Sequence, residues 1–282
     1  MLPVGKKTRE IALDKPSLEK RPENEGKISR TTLPKNLGQW ISDVLDLLES
    51  QWHNEEIPND FAHSEPLDGL ILTVLSQHTN DRNRDVAFSR LKDRYPAWEA
   101  AAAAGYEALE EAVRPAGLAP TKAKRILEIL EIVLKDFGRY SILPLAEKGR
   151  DEARKYLLSL PGVGEKTAAC VLLFDMGLPA FPVDTHIARV CQRVGFVPDN
   201  TPAETICALL ERQVDSSRYL GGHINIIQHG RAVCKARNPL CRGCVAAGLC
   251  SFYGKQTFAD PDAQPDATSE TNGKKRRAST KK

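Results

Sequence analysis

No apolar run in the sequence approaches the roughly 20 residues that a bilayer-spanning helix needs, so no membrane partner is expected. Its first twenty residues, MLPVGKKTREIALDKPSLEK, lack an apolar stretch followed by a small-residue cleavage site, and no secretory signal is expected. A strong charge of one sign is also missing. Forty Lys and Arg against 37 Asp and Glu leave a net charge of only +3. Bulk charge therefore barely favours a nucleic-acid partner, and any such case must rest on where the charges sit. Alternating apolar and polar residues with hairpin turns are lacking, which argues against a sheet-built fold. No repeat with a period of about 20 to 50 residues is visible, which excludes a solenoid.

What is present is helical periodicity. Apolar residues at three and four spacing predict helices over 36–52, 66–79, 81–95 and 121–138, the last stopped by Gly138. Shorter helices are predicted at about 97–103 and 106–114, then over 151–160, 165–177, 185–195, 202–214 and 219–234. The fold class is therefore all-α. Residues 1–35 and 258–282 are rich in charge and poor in large apolar side chains, and both are expected to be disordered tails. The second ends GKKRRASTKK, which suits nonspecific DNA affinity or a nuclear address.

Four of the seven cysteines, Cys234, Cys241, Cys244 and Cys250, crowd into a C-x6-C-x2-C-x5-C pattern. Thiolates are soft ligands, and four of them suit either zinc or an iron–sulfur cluster. Only one C-x2-C pair is present, whereas four-cysteine zinc sites usually have two, but spacing alone leaves both metals open. Cys170, Cys191 and Cys207 lie within apolar helix patterns and read as core residues. No acid occurs between 228 and 250, while Lys235, Arg237 and Arg242 do. A loop of that character held rigid by a metal centre can face phosphates, although it also fits a solvated basic loop.

Leu160-Pro161-Gly162-Val163-Gly164 separates two predicted helices. Pro161 ends the first. The glycines permit close backbone approach, and Val163 would anchor the turn in the core. The start of the next helix presents unpaired N–H groups and a positive dipole end, a site that a DNA phosphate fits. Lys166 falls in that helix's first turn, where a cation opposes the dipole. A neutral lysine amine is a nucleophile that can form a Schiff base. Asp184, in VDTH, precedes another helix and can cap it, and it can also stabilise positive charge developing at a sugar carbon.

Taken together, LPGVGEKTA, VDTH 18 residues after the lysine, and the cysteine pattern resemble the endonuclease III branch of the helix-hairpin-helix DNA glycosylases over about residues 36–254. The resemblance implies a [4Fe–4S] cluster on Cys234, Cys241, Cys244 and Cys250, with Lys166 and Asp184 matching the catalytic lysine and aspartate. It implies a six-helix barrel at 59–178, a cluster domain from 36–58 plus 179–257, and an active cleft between them. It also implies a monovalent cation at the hairpin and a monomer acting on double-stranded DNA that carries damaged bases or abasic sites. The expected reaction removes a base, an oxidised pyrimidine by the family likeness, and cuts 3′ to the site by β-elimination. His78, where relatives commonly have Gln, matches the residue that fills the gap left by the extruded base. Gln77 lies beside it, and Leu118 matches a second wedge. The alternatives are a monofunctional mismatch or adenine glycosylase and a non-catalytic DNA-binding protein. The expected location is a bacterial cytoplasm, associated with the nucleoid, or a nucleus if the source is eukaryotic.

Overall fold

A computed structural model describes residues 36–52 and 62–255. The two tail segments lie outside the described residues. The helices run α1 (Leu37–Gln51), α2 (Pro66–Ser76), α3 (Asp81–Arg94), α4 (Trp98–Val113), α5 (Ala119–Phe137), α6 (Pro144–Glu147), α7 (Arg150–Ser159), α8 (Glu165–Cys170), α9 (Thr185–Val194), α10 (Ala203–Gln213), α11 (Tyr219–Ala232) and α12 (Ser251–Lys255). No strand occurs among the described residues, in keeping with the all-α expectation. None of the described helices is long and apolar enough to cross a membrane.

Short polar side chains start several helices. Asn36 accepts from the Gln39 N–H at 3.3 Å, and Asn80 from the Asn83 N–H at 2.8 Å. Gly138, in the left-handed conformation, ends α5 as expected. The two short helices predicted near 97–114 are successive segments of α4, broken at Gly105 (φ 80°, ψ −178°). α2 stops at Ser76 rather than 79, because Gln77 is extended and His78 is left-handed, and neither continues a right-handed helix. Beyond Cys170, α8 widens into a π-helical stretch, Val171–Asp175, where the Met176 N–H reaches back to the Val171 carbonyl at 3.0 Å.

Two buried clusters organise the chain. The first gathers Leu70, Ile71, Leu91, Leu109, Ile126 and Leu157 from α2, α3, α4, α5 and α7. The second joins α1 to α9, α10 and α11 through Trp40, Leu48, Ile187, Leu210 and Ile226. α1 buries five large apolar residues there: Trp40, Ile41, Val44, Leu45 and Leu48. At about 2 kcal/mol each these contribute on the order of 10 kcal/mol. Closing a loop of about 130 residues to bring α1 to α9 costs about 4 kcal/mol plus a constant, so burial wins.

Charged side chains span the clusters. Glu211 of α10, almost fully buried, pairs with Arg150 and Arg154 of α7 and accepts from the Phe181 N–H at 3.1 Å. Arg154 also pairs with Glu165 of α8 at 2.6 Å. Elsewhere, Arg231 of α11 meets Asp81 of α3 at 3.1 Å.

Candidate functional site

The hairpin joins α7 to α8. Gly162 is left-handed (φ 72°), and the Val163 N–H closes the turn on the Leu160 carbonyl at 3.2 Å. Leu160 and Val163 are buried in the first cluster, so only their backbone can meet a partner, while Gly162 and Gly164 are exposed. A Cβ on Gly162 would come 2.6 Å from Arg125 Cδ and Nε, so that side chain would have to shift, and the left-handed backbone itself favours glycine. No side chain caps α8, and Gly164 leaves its first turn open.

Lys166 is exposed in that first turn, one helical turn before the buried Cys170. Burial pushes that thiol's pKa up, while the ammonium of Lys166 opposes the shift. Asp184 is half-buried. Its Oδ1 accepts from the His186 and Ile187 N–H groups, both at 2.8 Å, and caps α9. The buried imidazole of His223 meets Phe174 edge-on, with ring centroids 5.4 Å apart, and also contacts Pro182, so it bridges the helical run that begins with Lys166's first turn and the segment that leads to Asp184. His223 Nδ1 donates to the Pro182 carbonyl at 2.9 Å. Burial pushes its pKa down to about 4; the Pro182 contact and Asp184 oppose this, and Lys166 and Arg231 add to it.

Gln77 does not project as a free side chain. Its amide donates to the Gly162 carbonyl at 3.0 Å and to Thr167 Oγ1 at 3.4 Å, and its oxygen accepts from Arg125 at 2.9 Å. It ties the end of α2 to the hairpin. His78 (φ 54°) and Leu118 (φ 49°) are both exposed and both left-handed, Leu118 being 56% exposed. A left-handed non-glycine residue costs about 1–2 kcal/mol, a strain that concentrates at functional positions.

Cys234, Cys241, Cys244 and Cys250 line one pocket with His229, Arg193, Val233 and Phe252. Among the described residues, no three His, Cys, Asp or Glu side chains converge as they would on a single ion. Four soft thiolates suit zinc or an iron–sulfur cluster. Burial and mutual repulsion push the Cys241 and Cys244 thiols up, which calls for cationic compensation before they ionise. Arg193 points Nη1 at Cys234 Sγ (3.6 Å) and donates to the Lys235 and Ala236 carbonyls at 2.6 and 3.0 Å. Arg189 holds the Cys234 carbonyl at 3.0 Å. Lys235, Arg237 and Arg242 are exposed on this loop.

Cys191 and Cys207 are buried as expected, their thiols pushed up by burial to about 12 and about 11. Cys170 is buried too, one helical turn after Lys166. The four-residue spacing from Lys166 was the available signal. For His223 the sequence holds no comparable sign.

Residues 71–214 match the HhH-GPD superfamily of base excision DNA repair proteins. The chain is 36% identical over 205 residues to endonuclease III of Thermotoga maritima, covering 72% of this chain and 90% of that one. It is 32% identical over 187 residues to endonuclease III of Sulfolobus acidocaldarius, covering 65% and 81%. A solved structure of a trapped endonuclease III–DNA covalent intermediate superposes with a TM-score of 0.66 at 30% identity, over 77% of this chain and 97% of that one. A thermostable thymine-DNA glycosylase shares the fold at 22% identity, with a TM-score of 0.65 over 78% and 97%.

Proposed function

The chain belongs to the HhH-GPD superfamily of base excision DNA repair proteins, and from that premise we propose that it is a bifunctional DNA glycosylase and abasic-site lyase with Lys166 as its nucleophile. The relatives show an endonuclease III-like DNA glycosylase that acts on DNA. One observation supports Lys166 as the nucleophile. Behind an LPGVG hairpin, buried His223 links the helical run that carries Lys166, through Phe174, to Pro182, two residues before Asp184. That a relative forms a covalent intermediate with DNA supports it.

The hairpin backbone and the basic cysteine loop hold phosphates. The lesion nucleotide leaves the stack, and His78 and Leu118 enter the vacated space. The Lys166 amine attacks C1′, the C1′–N bond breaks, and the departing base takes the electron pair and a proton. Ring opening gives a Schiff base between Lys166 and C1′. Loss of a C2′ proton then expels the 3′ phosphate oxygen. Asp184 stabilises positive charge at the sugar and assists proton movement. Oxidised pyrimidines are the proposed substrates, by the family likeness.

Cys234, Cys241, Cys244 and Cys250 would hold a [4Fe–4S] cluster, as is typical of the family. Such a cluster would cross-link the loop that displays Lys235, Arg237 and Arg242. The hairpin is also the place for a monovalent cation. Each copy is proposed to act alone, in a bacterial cytoplasm or, in a eukaryote, a nucleus.

Borohydride trapping on duplex DNA with an abasic site tests the nucleophile. Wild type should form a covalent adduct and Lys166→Ala none. An equal yield from Lys166→Ala would remove the assignment. Absence of any adduct with wild type, despite DNA binding, would remove the lyase.

A further inference from the structure

Given the wedge and hairpin roles, on which it rests, we propose that Lys122 and Arg125 of α5 are positioning residues that hold the two wedge loops and the hairpin in one register. Lys122 is only 1% exposed, and its Nζ donates to the Leu75 and Ala116 carbonyls, both at 2.8 Å. Leu75 lies three residues before His78, and Ala116 two before Leu118. One ammonium thus bridges the segments that carry both strained, exposed side chains. Its two carbonyl partners lie near the ends of α2 and of the 3-10 turn Arg114–Ala116, where backbone dipoles favour a cation.

Arg125 lies one turn further along the same face of the helix. It donates to Gln77 Oε1 at 2.9 Å, and its stem occupies the space a Gly162 side chain would need. Gln77 in turn donates to the Gly162 carbonyl. α5 therefore connects the loop of His78, the loop of Leu118 and the phosphate-facing turn through side chains that need never touch DNA. Without those ties each loop could relax out of its left-handed conformation. The chemistry at Lys166 would survive, while extrusion of the nucleotide would not.

Trapping rates separate the two. An abasic site in a duplex must be extruded, whereas the same site in a single strand need not be. Lys122→Met and Arg125→Met are compared with wild type on both, alongside a His78→Ala/Leu118→Ala control. Thermal melting checks that each variant is folded. The duplex rate should fall about tenfold for each charge-assisted hydrogen bond removed, with the single-strand rate within about twofold. The fluorescence rise of 2-aminopurine beside the site should disappear in parallel. Equal losses on both substrates in a folded variant would reduce the two residues to general stability and overturn the proposal. So would an unchanged duplex rate. If Lys122→Met does not fold, half-buried Arg125→Met decides by the same criterion. A control that keeps its duplex rate brings down the wedge roles themselves. A slowed control with unaffected α5 variants brings down only the positioning.

Discussion

Asp184 has two duties that substitution can separate. Its Oδ1 caps α9 through two N–H groups at 2.8 Å, and its charge bears on Lys166's surroundings. Asparagine caps a helix about as well as aspartate, whereas alanine does not, and losing the cap costs about 1–2 kcal/mol. Loss of the charge at the positive end of α9 costs about 0.3–1 kcal/mol in either variant. For a domain of this size 1 kcal/mol moves the melting temperature by about 2–4 °C. Asp184→Asn should therefore melt within about 4 °C of wild type, and Asp184→Ala about 2–8 °C lower again. Base release should behave differently, with both variants losing about 100-fold or more because both lack the carboxylate. Melting curves and single-turnover base release, measured on the same preparations, form the assay. If Asp184→Asn retained base release within a few fold of wild type, the charge would have no part in the reaction. If the two variants melted together, the cap would contribute nothing.

Three further outcomes are expected. Gly162→Ala forces a Cβ to within 2.6 Å of Arg125 at a left-handed position and should cost about 1–2 kcal/mol or more, read as a lower melting temperature. His223 has a folded pKa of about 4, below its unfolded value, so the unfolded chain binds the extra proton first. The resulting stability, at most on the order of 3 kcal/mol, is present above about pH 6.5 and is lost as the pH falls toward 4. Urea titrations should show a shallower acid loss for His223→Leu than for wild type, and parallel slopes would contradict the assignment. Cys241→Ser should lower the bound iron and the visible absorbance. It should also flatten the salt dependence of DNA affinity, since Lys235, Arg237 and Arg242 would no longer be held; an unchanged salt slope would show that the loop does not face phosphates.

Local features were legible in the chain because their causes are local. Asp184 caps a helix that starts immediately after it, and Gly138 ends α5 where the apolar pattern ends. The cysteine spacing and the LPGVG turn are short enough to be read linearly. Lys122 was not legible in this way. In an amphipathic helix a lysine reads as solvent-facing, and this one is buried only because carbonyls 47 and 6 residues away converge on it. The early end of α2 was hidden for a related reason. The left-handed backbone of His78 and the extended Gln77 go with ties to Gly162 and Arg125 that no local pattern encodes. The alliance of α1 with α9 to α11 depends on burial between distant segments, to which helical periodicity is blind.

The Glu211 junction has a mechanical consequence. It clasps α7 to α10 from within, and the Arg231–Asp81 pair spans the same two halves elsewhere. Breaking the buried junction by deleting one partner would cost about 3–5 kcal/mol, far above thermal energy. Such a clasp works against the two halves hinging apart, more as a stiff jig than as jaws.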